Sequence, residues 1–191
     1  NILKPHIPNL DGFSLERYHK YVPTDDIHLK VVNKTRDLFP PDFNFPIAKV
    51  HDRLSKLVGF RLTDIDPITD QKLHIIVRIN RPRSNDYNPP HKDSYGSYDK
   101  GRLKKFMNFW IPIAGVNEKS SLPLVPKSHL IPENRILRTF EGGKVEGNTY
   151  RVPAIKEWDG SNKLTRAKVK DGQVLVFSSH LIHGFAVNAN P

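Results

Sequence analysis

From about residue 73 onward the apolar residues of this chain come only in short runs, each closed by turn-forming residues. Residues 73–79 form a β-branched run bounded by polar residues, and residues 106–113 and 122–126 repeat the pattern. Residues 165–170 and 173–177 flank Asp171-Gly172, a dipeptide suited to a two-residue hairpin turn. Residues 182–187 close the series. Such short, punctuated strands predict a β-sandwich or small barrel, mainly β in class, with helices on one side.

The helices are expected at the start. Ser14 is placed to cap a helix over residues 14–21, with Arg17 at the third position of an imperfect capping box. Residues 26–39 carry a helical stripe of Ile27, Leu29, Val31, Val32 and Leu38 that Pro40-Pro41 must end. Residues 47–57 repeat Ile47, Val50, Leu54 and Leu57 at three- and four-residue steps. No internal repeat interrupts this order. One domain is therefore expected over residues 1–191, with a helical region at 1–60 and a β core at 73–191 that is incomplete at its C-terminal end.

Cysteine is absent, so thiolate nucleophiles, disulfides and thiolate metal sites are excluded, and a metal would have to sit on His, Asp or Glu. The formal charge is +10, from 30 Lys and Arg against 20 Asp and Glu. That balance favours anionic partners. The basic residues are dispersed, though, in short groups such as 78–83 and 102–105, without a basic helix or a basic-aromatic stacking pattern. An anionic or polar small molecule is the expected substrate. A basic nucleic-acid-binding domain is the non-enzymatic alternative, recognisable by salt-sensitive affinity. The sequence lacks a run of about 20 apolar residues and a signal-peptide pattern, so a cytoplasmic protein is expected, with no membrane partner.

Nine histidines are present, and His6, His19, His28, His51 and His74 are read as surface or locally bonded. His91-Lys92-Asp93 differs. Two residues apart on an extended segment, an imidazole and a carboxylate face the same side and can take adjacent corners of one metal. A second histidine from a distant strand would complete the two-His-one-carboxylate set that suits non-haem iron(II), with positions left open. The apolar run at 174–177 leads to His180 and His183, which face opposite sides of an extended strand. Gly184 permits close backbone approach beside His183 and favours it over His180. A zinc hydrolase is disfavoured, because no His-Glu-x-x-His helix is present.

From about residue 73 to its end the chain resembles the phytanoyl-CoA dioxygenase-like family of iron(II)/2-oxoglutarate oxygenases. His91-Lys92-Asp93 resembles the family's His-x-Asp. The segment from Asn108 to Val116, running into Leu122-Pro123-Leu124-Val125-Pro126-Lys127-Ser128-His129, is similar to its strand and following proline-rich turn. Asp171-Gly172 with the run to Phe177 is similar to its Gly-Asp strand, and His183-Gly184 followed by Asn188 to its His-Gly-x-x-x-Asn. His91 and His183 stand 92 residues apart, as is usual there. Lys127 and Ser121 replace glycines of the family's turn, and Phe185 replaces a small residue. The resemblance implies a double-stranded β-helix, a jelly roll of cupin-like type. It implies iron(II) on His91, Asp93 and His183, with 2-oxoglutarate and molecular oxygen as co-substrates and succinate and carbon dioxide as products. Retention of Asp93 argues against a halogenase, which would have a small residue there. The family's arginine for the distal carboxylate is expected beyond Pro191, with Lys105 as the alternative cation.

Asn80 and Asn108, polar residues among apolar strand neighbours, are the further co-substrate candidates, with Trp110 on the face of Asn108. Arg78 shares the face of Asn80, in a run similar to one in ectoine-hydroxylase-like members. Arg78, Arg81 and Tyr95 are the substrate candidates, beside Arg83, Tyr87 and Tyr98 in loops flanking the metal motif. A cupin-like metalloenzyme that does not use 2-oxoglutarate is the enzymatic alternative.

Overall fold

The computed structural model describes residues 3–7, 9–36, 38–39, 42, 47–65, 75–96, 106–140, 142–145, 148–150 and 152–191. The chain divides into two compact units, Asn1–Ile79 and Asn80–Pro191.

The first unit is helical. Ser14 is extended, but the expected helix begins as a 3-10 turn over Leu15–Arg17 and continues as α1, Tyr18–Tyr21. Helix α2, Asp25–Thr35, starts behind extended Thr24, and Asp25 and Asp26 complement the partial positive charge of its N-terminus. The sequence predicts this helix to residue 39. It stops four residues earlier, at Thr35, and Leu38 instead exchanges two backbone hydrogen bonds with Ile75, of 3.3 and 2.6 Å. Approaching Pro40-Pro41, the chain is steered out of the helical region into an extended form that can pair. Helix α3, Ile47–Val58, follows its predicted range and ends at Gly59, whose φ of +78° reverses the chain. Ile7, Tyr18, Val22 and Val31 form the buried centre of this unit, where the Tyr18 hydroxyl lies 3.1 Å from His28 Nδ1. Among the described residues no helix is long and apolar enough to cross a membrane.

The second unit holds the strands: β1 Met107–Trp110, β2 Pro123–Leu124, β3 Ile136–Arg138, β4 Gly143–Val145, β5 Asn148–Tyr150, β6 Ile155–Trp158, β7 Thr165–Arg166 and β8 Leu175–Ser178. They form four antiparallel pairs, β1 with β8, β2 with β7, β3 with β6 and β4 with β5. The β2–β7 pair is widened by single bridges from Leu124 to His183 and from His183 to His91. Among the described residues these pairs are not joined into one continuous jelly roll.

The pairing corrects two sequence expectations. Asp171-Gly172 does form a turn, with Gln173 N–H donating to Lys170 at 3.0 Å and Gly172 at φ +80°. Yet its arms do not pair with each other. Arg166 lies opposite Pro123, while Leu175 lies opposite Trp110, so the turn carries the chain from one pair to another. A dipeptide sets the local reversal, but the choice of partner strand is made by burial elsewhere. The strand expected over 182–187 is also absent: Gly184 at φ +119° and Phe185 at φ +58° leave the extended region immediately after His183.

Val125, Ile136, Ile155 and Ile182 form the buried centre of the second unit, with Tyr95, Ile131, Trp158 and Leu164 packed against them. Ile182 has no exposed surface and is hydrogen-bonded through its amide to Ser128 Oγ at 2.7 Å, which fixes the residue just before His183. Ile182→Ala is expected to lower unfolding free energy by about 2–5 kcal/mol, read from chemical denaturation of the metal-free protein. A loss below about 1 kcal/mol would mean that this core collapses around the deletion.

Candidate metal centre

His91 is held in place by the chain's own backbone. Its amide donates to the His183 carbonyl at 2.9 Å, and the His183 amide donates back at 3.0 Å. The two imidazoles therefore leave one narrow antiparallel bridge side by side, with ring centroids 4.4 Å apart. Gly184 makes this approach possible. A β-carbon there would stand 2.5 Å from the Pro89 carbonyl oxygen and 3.1 Å from His91 Nδ1.

Asp93 arrives differently from the sequence expectation. The segment pairs through a single bridge at His91. Asp93 opens a 3-10 turn, Asp93–Gly96, secured by Ser94 N–H to the Ser179 carbonyl at 3.1 Å and Tyr95 N–H to the Lys92 carbonyl at 3.0 Å. The carboxylate still meets the histidines. Asp93 Oδ1 lies 3.4 Å from His91 Nε2, and Oδ2 lies 3.5 Å from His183 Nε2. The ligand atoms of these three residues all fall within 4.8 Å of one another.

Their protonation follows from their neighbours. His91 Nδ1 sits 2.7 Å from the Pro89 carbonyl and His183 Nδ1 3.0 Å from the Leu181 carbonyl. A carbonyl only accepts, so each Nδ1 donates to it, and each ring turns its Nε2 toward Asp93. Burial pushes the Asp93 carboxyl up. Its hydrogen bond with His91, the charges of His183 and His91 and the Asn108 amide outweigh that push and bring it down to about 2. The carboxylate is thus ionised near neutral pH. Two imidazole Nε2 atoms and a carboxylate converging at one point form a donor set that a divalent cation satisfies. The imidazole–carbonyl bonds are the kind that orient histidine ligands around a metal. The side chains of His91 and His183 are less than a tenth exposed and that of Asp93 is 36 % exposed, so the group is reached from the carboxylate side.

The β1–β8 pair walls the group. Asn108 lies opposite Phe177. Its amide donates to Asp93 Oδ2 at 2.5 Å, and the Phe177 ring packs edge-on against His183 at 5.0 Å. The contribution of Phe177 was missed from the sequence, where it counted only as the end of an apolar run. Trp110 lies two residues beyond Asn108 on β1, opposite Leu175. His180 lies in the turn after β8 and is not among the three converging residues.

The other sequence candidates lie elsewhere. Asn80 donates to the Ala186 carbonyl at 2.7 Å, and its own carbonyl accepts from Asn188 at 2.8 Å, tying the segment after His183 to residue 80. Arg81 is buried and forked onto Asp86, with Nε 2.8 Å from Oδ2 and an Nη 3.0 Å from Oδ1. The Tyr95 hydroxyl donates to Glu133 at 2.7 Å, and burial beside that carboxylate pushes the phenol up. Arg78 belongs to the first unit. Lys105 and Tyr98 lie outside the described residues. Tyr87 packs against Phe185 with ring centroids 4.8 Å apart, and Arg83 is exposed at φ +52°. Lys127 adopts φ +63° at the position where the family's turn carries glycine, so the turn keeps its shape at a cost in backbone strain.

Residues 15–191 match the family model described as Phytanoyl-CoA dioxygenase (PhyH). No curated protein and no solved structure matches the chain.

Gly184→Ala tests the geometry, because the added carbon meets backbone rather than a movable side chain and must adopt a φ that alanine avoids. It is expected to cost at least about 2 kcal/mol of stability in denaturant unfolding and to weaken divalent-metal binding by calorimetry. A variant with wild-type stability and metal affinity would show that the His91–His183 bridge tolerates a wider spacing.

Proposed function

The chain belongs to the phytanoyl-CoA dioxygenase family, of cupin-like fold and iron(II)-dependent oxygenase chemistry, and from that premise we propose that it is an iron(II)/2-oxoglutarate-dependent hydroxylase of a polar or anionic small molecule. The observation that carries this reading is the meeting of two imidazole Nε2 atoms and a carboxylate at one point. The family match runs through both compact units, which supports one oxygenase domain with an oxygenase core built on the jelly-roll plan.

In this reading His91, Asp93 and His183 hold iron(II) on one face. When bound, the metal supplies oxygen activation coupled to decarboxylation of 2-oxoglutarate, giving succinate, carbon dioxide and a hydroxylated substrate. The protein's share is orientation and exclusion of water. Asn108 holds one oxygen of Asp93, which restrains rotation of the carboxylate that would hold the metal with His91 and His183. Phe177 covers the His183 ring with apolar surface. Trp110, two residues on along the same strand, is assigned to the co-substrate wall with Asn108. The distal carboxylate of 2-oxoglutarate needs a fixed cation inside an apolar enclosure, and Lys105 is retained for that role. The Arg81 guanidinium is already forked onto Asp86, so substrate recognition is assigned to the loop around residues 83–92 and the positive surface. The net charge of +10 supports an anionic substrate by steering.

Metal-loaded protein under argon is expected to gain thermal stability from 2-oxoglutarate, and the iron(II) enzyme in air to release succinate even without the primary substrate. Asp93→Ala should reduce succinate release by more than about 100-fold, beyond what loss of a mere supporting partner costs, while the metal-free variant still unfolds cooperatively. Absence of any 2-oxoglutarate effect on the metal-loaded protein would reject the co-substrate and leave a cupin-like metalloenzyme of other chemistry.

A further inference from the structure

The residue between the two ligands of the His-x-Asp motif points away from them. Lys92 is 1 % exposed, yet it carries a charge. Its ammonium donates to Glu133 Oε1 at 2.7 Å, while Tyr95, on the other side of Asp93, donates its hydroxyl to Glu133 Oε2 at 2.7 Å. One carboxylate thus receives the residue before Asp93 with one oxygen and the residue two after it with the other. Arg138 adds to the grip, with Nε 4.0 Å from Glu133 Oε2 and its guanidinium over the Tyr95 ring at 4.4 Å.

Glu133 is itself well anchored. It opens a 3-10 turn, Glu133–Arg135, behind Pro132, and that turn runs directly into β3, whose Ile136 belongs to the buried centre. Glu133 therefore ties the Asp93 turn to the core, beside the Ser94–Ser179 backbone bond and the Asn108 amide. Stability alone gives a poor account of this arrangement. Lys92 is buried but the Glu133 side chain is 55 % exposed, and in such a pair solvent screening on one side and desolvation on the other leave little net stabilisation. What directional bonds add is a fixed angle. The Ser94–Ser179 bond and the Asn108 amide also hold the Asp93 turn, but Glu133 binds side chains on both sides of Asp93, which must reach toward histidines on a separate, backbone-paired bridge.

We propose that Glu133 is a positioning residue for the metal centre: by gripping Lys92 and Tyr95 it sets the pitch of the turn that presents the Asp93 carboxylate to His91 and His183. This rests on the reading of those three residues as metal ligands. Neither Glu133 nor Lys92 touches the metal in this scheme, so the effect appears in affinity and coordination geometry.

Cobalt(II) is a suitable probe, because its visible absorption reports the arrangement of its ligands. In titrations of the full chain, Glu133→Ala is expected to weaken cobalt(II) binding by about 10-fold or more and to alter the visible spectrum. The double variant Lys92→Met/Glu133→Leu keeps the volume without the pair. It should unfold cooperatively when metal-free and still bind cobalt(II) more weakly than the wild type, an outcome a purely stabilising ion pair would not produce. Should Glu133→Ala fail to fold, Tyr95→Phe removes one grip alone and is expected to show the altered spectrum with unfolding unchanged. Wild-type affinity and spectrum in the folded variants would overturn the proposal while leaving the metal centre standing. Failure of the wild type to bind cobalt(II) at all would overturn the metal centre and this proposal together.

Discussion

Two backbone hydrogen bonds between His91 and His183 are the constraint on which the rest of the second unit depends. They close a loop spanning 92 residues. Closing such a loop costs on the order of 4 kcal/mol or more in chain entropy. Two backbone amide bonds return only about 1–3 kcal/mol net, so the bridge cannot hold itself. Its support is apolar and lies next door. Ile182 and Val125 are fully buried, and the Ile182 carbonyl accepts from the Val125 amide at 2.8 Å. The packing that buries residue 182 delivers residue 183.

Gly184 shows how narrow this arrangement is. The Pro89 carbonyl that takes the proton of His91 Nδ1 is the same atom that a side chain at 184 would strike. One oxygen therefore sets a tautomer on one side and demands a glycine on the other. The sequence carries this dependence as two remote facts, a proline two residues before one histidine and a glycine just after the second.

The His-x-Asp segment has two working faces with different electrostatics. Toward the metal stand two imidazole Nε2 atoms and a carboxylate, steadied by the Asn108 amide. Behind them a buried ammonium meets Glu133, whose carboxyl is raised by burial but lowered overall by its bonds to Lys92 and Tyr95 and the charges of Lys92 and Arg138. The forward face suits a cation, and the rear face is already neutralised by its own partners. This division explains why charged and aromatic residues close to the motif, such as Tyr95 and Arg81, are held by other side chains rather than facing the metal.

Residue type and local spacing suffice for much of this protein. The lack of cysteine confines any metal to His, Asp and Glu, and His91-Lys92-Asp93 with His183-Gly184 can be picked out because imidazole, carboxylate and glycine each have a chemical reason to be there. The α3 range, the turn at Asp171-Gly172 and the end of α2 before Pro40-Pro41 are likewise local matters of φ and periodicity. Partner choice is not local. Strands β3 and β6 have three and four residues, too short for a periodic signal, and exist because Ile136 and Ile155 are buried in the same centre. The arms around Asp171-Gly172 found other partners for the same reason, and Asn80 and Asn108 acquired their bonds only when separate chain segments met. The sequence by itself determined which atoms could bind a metal. Tertiary packing decided where they point, because a hydrogen bond or an ion pair depends on relative position, and relative position is set by which apolar surfaces are buried together.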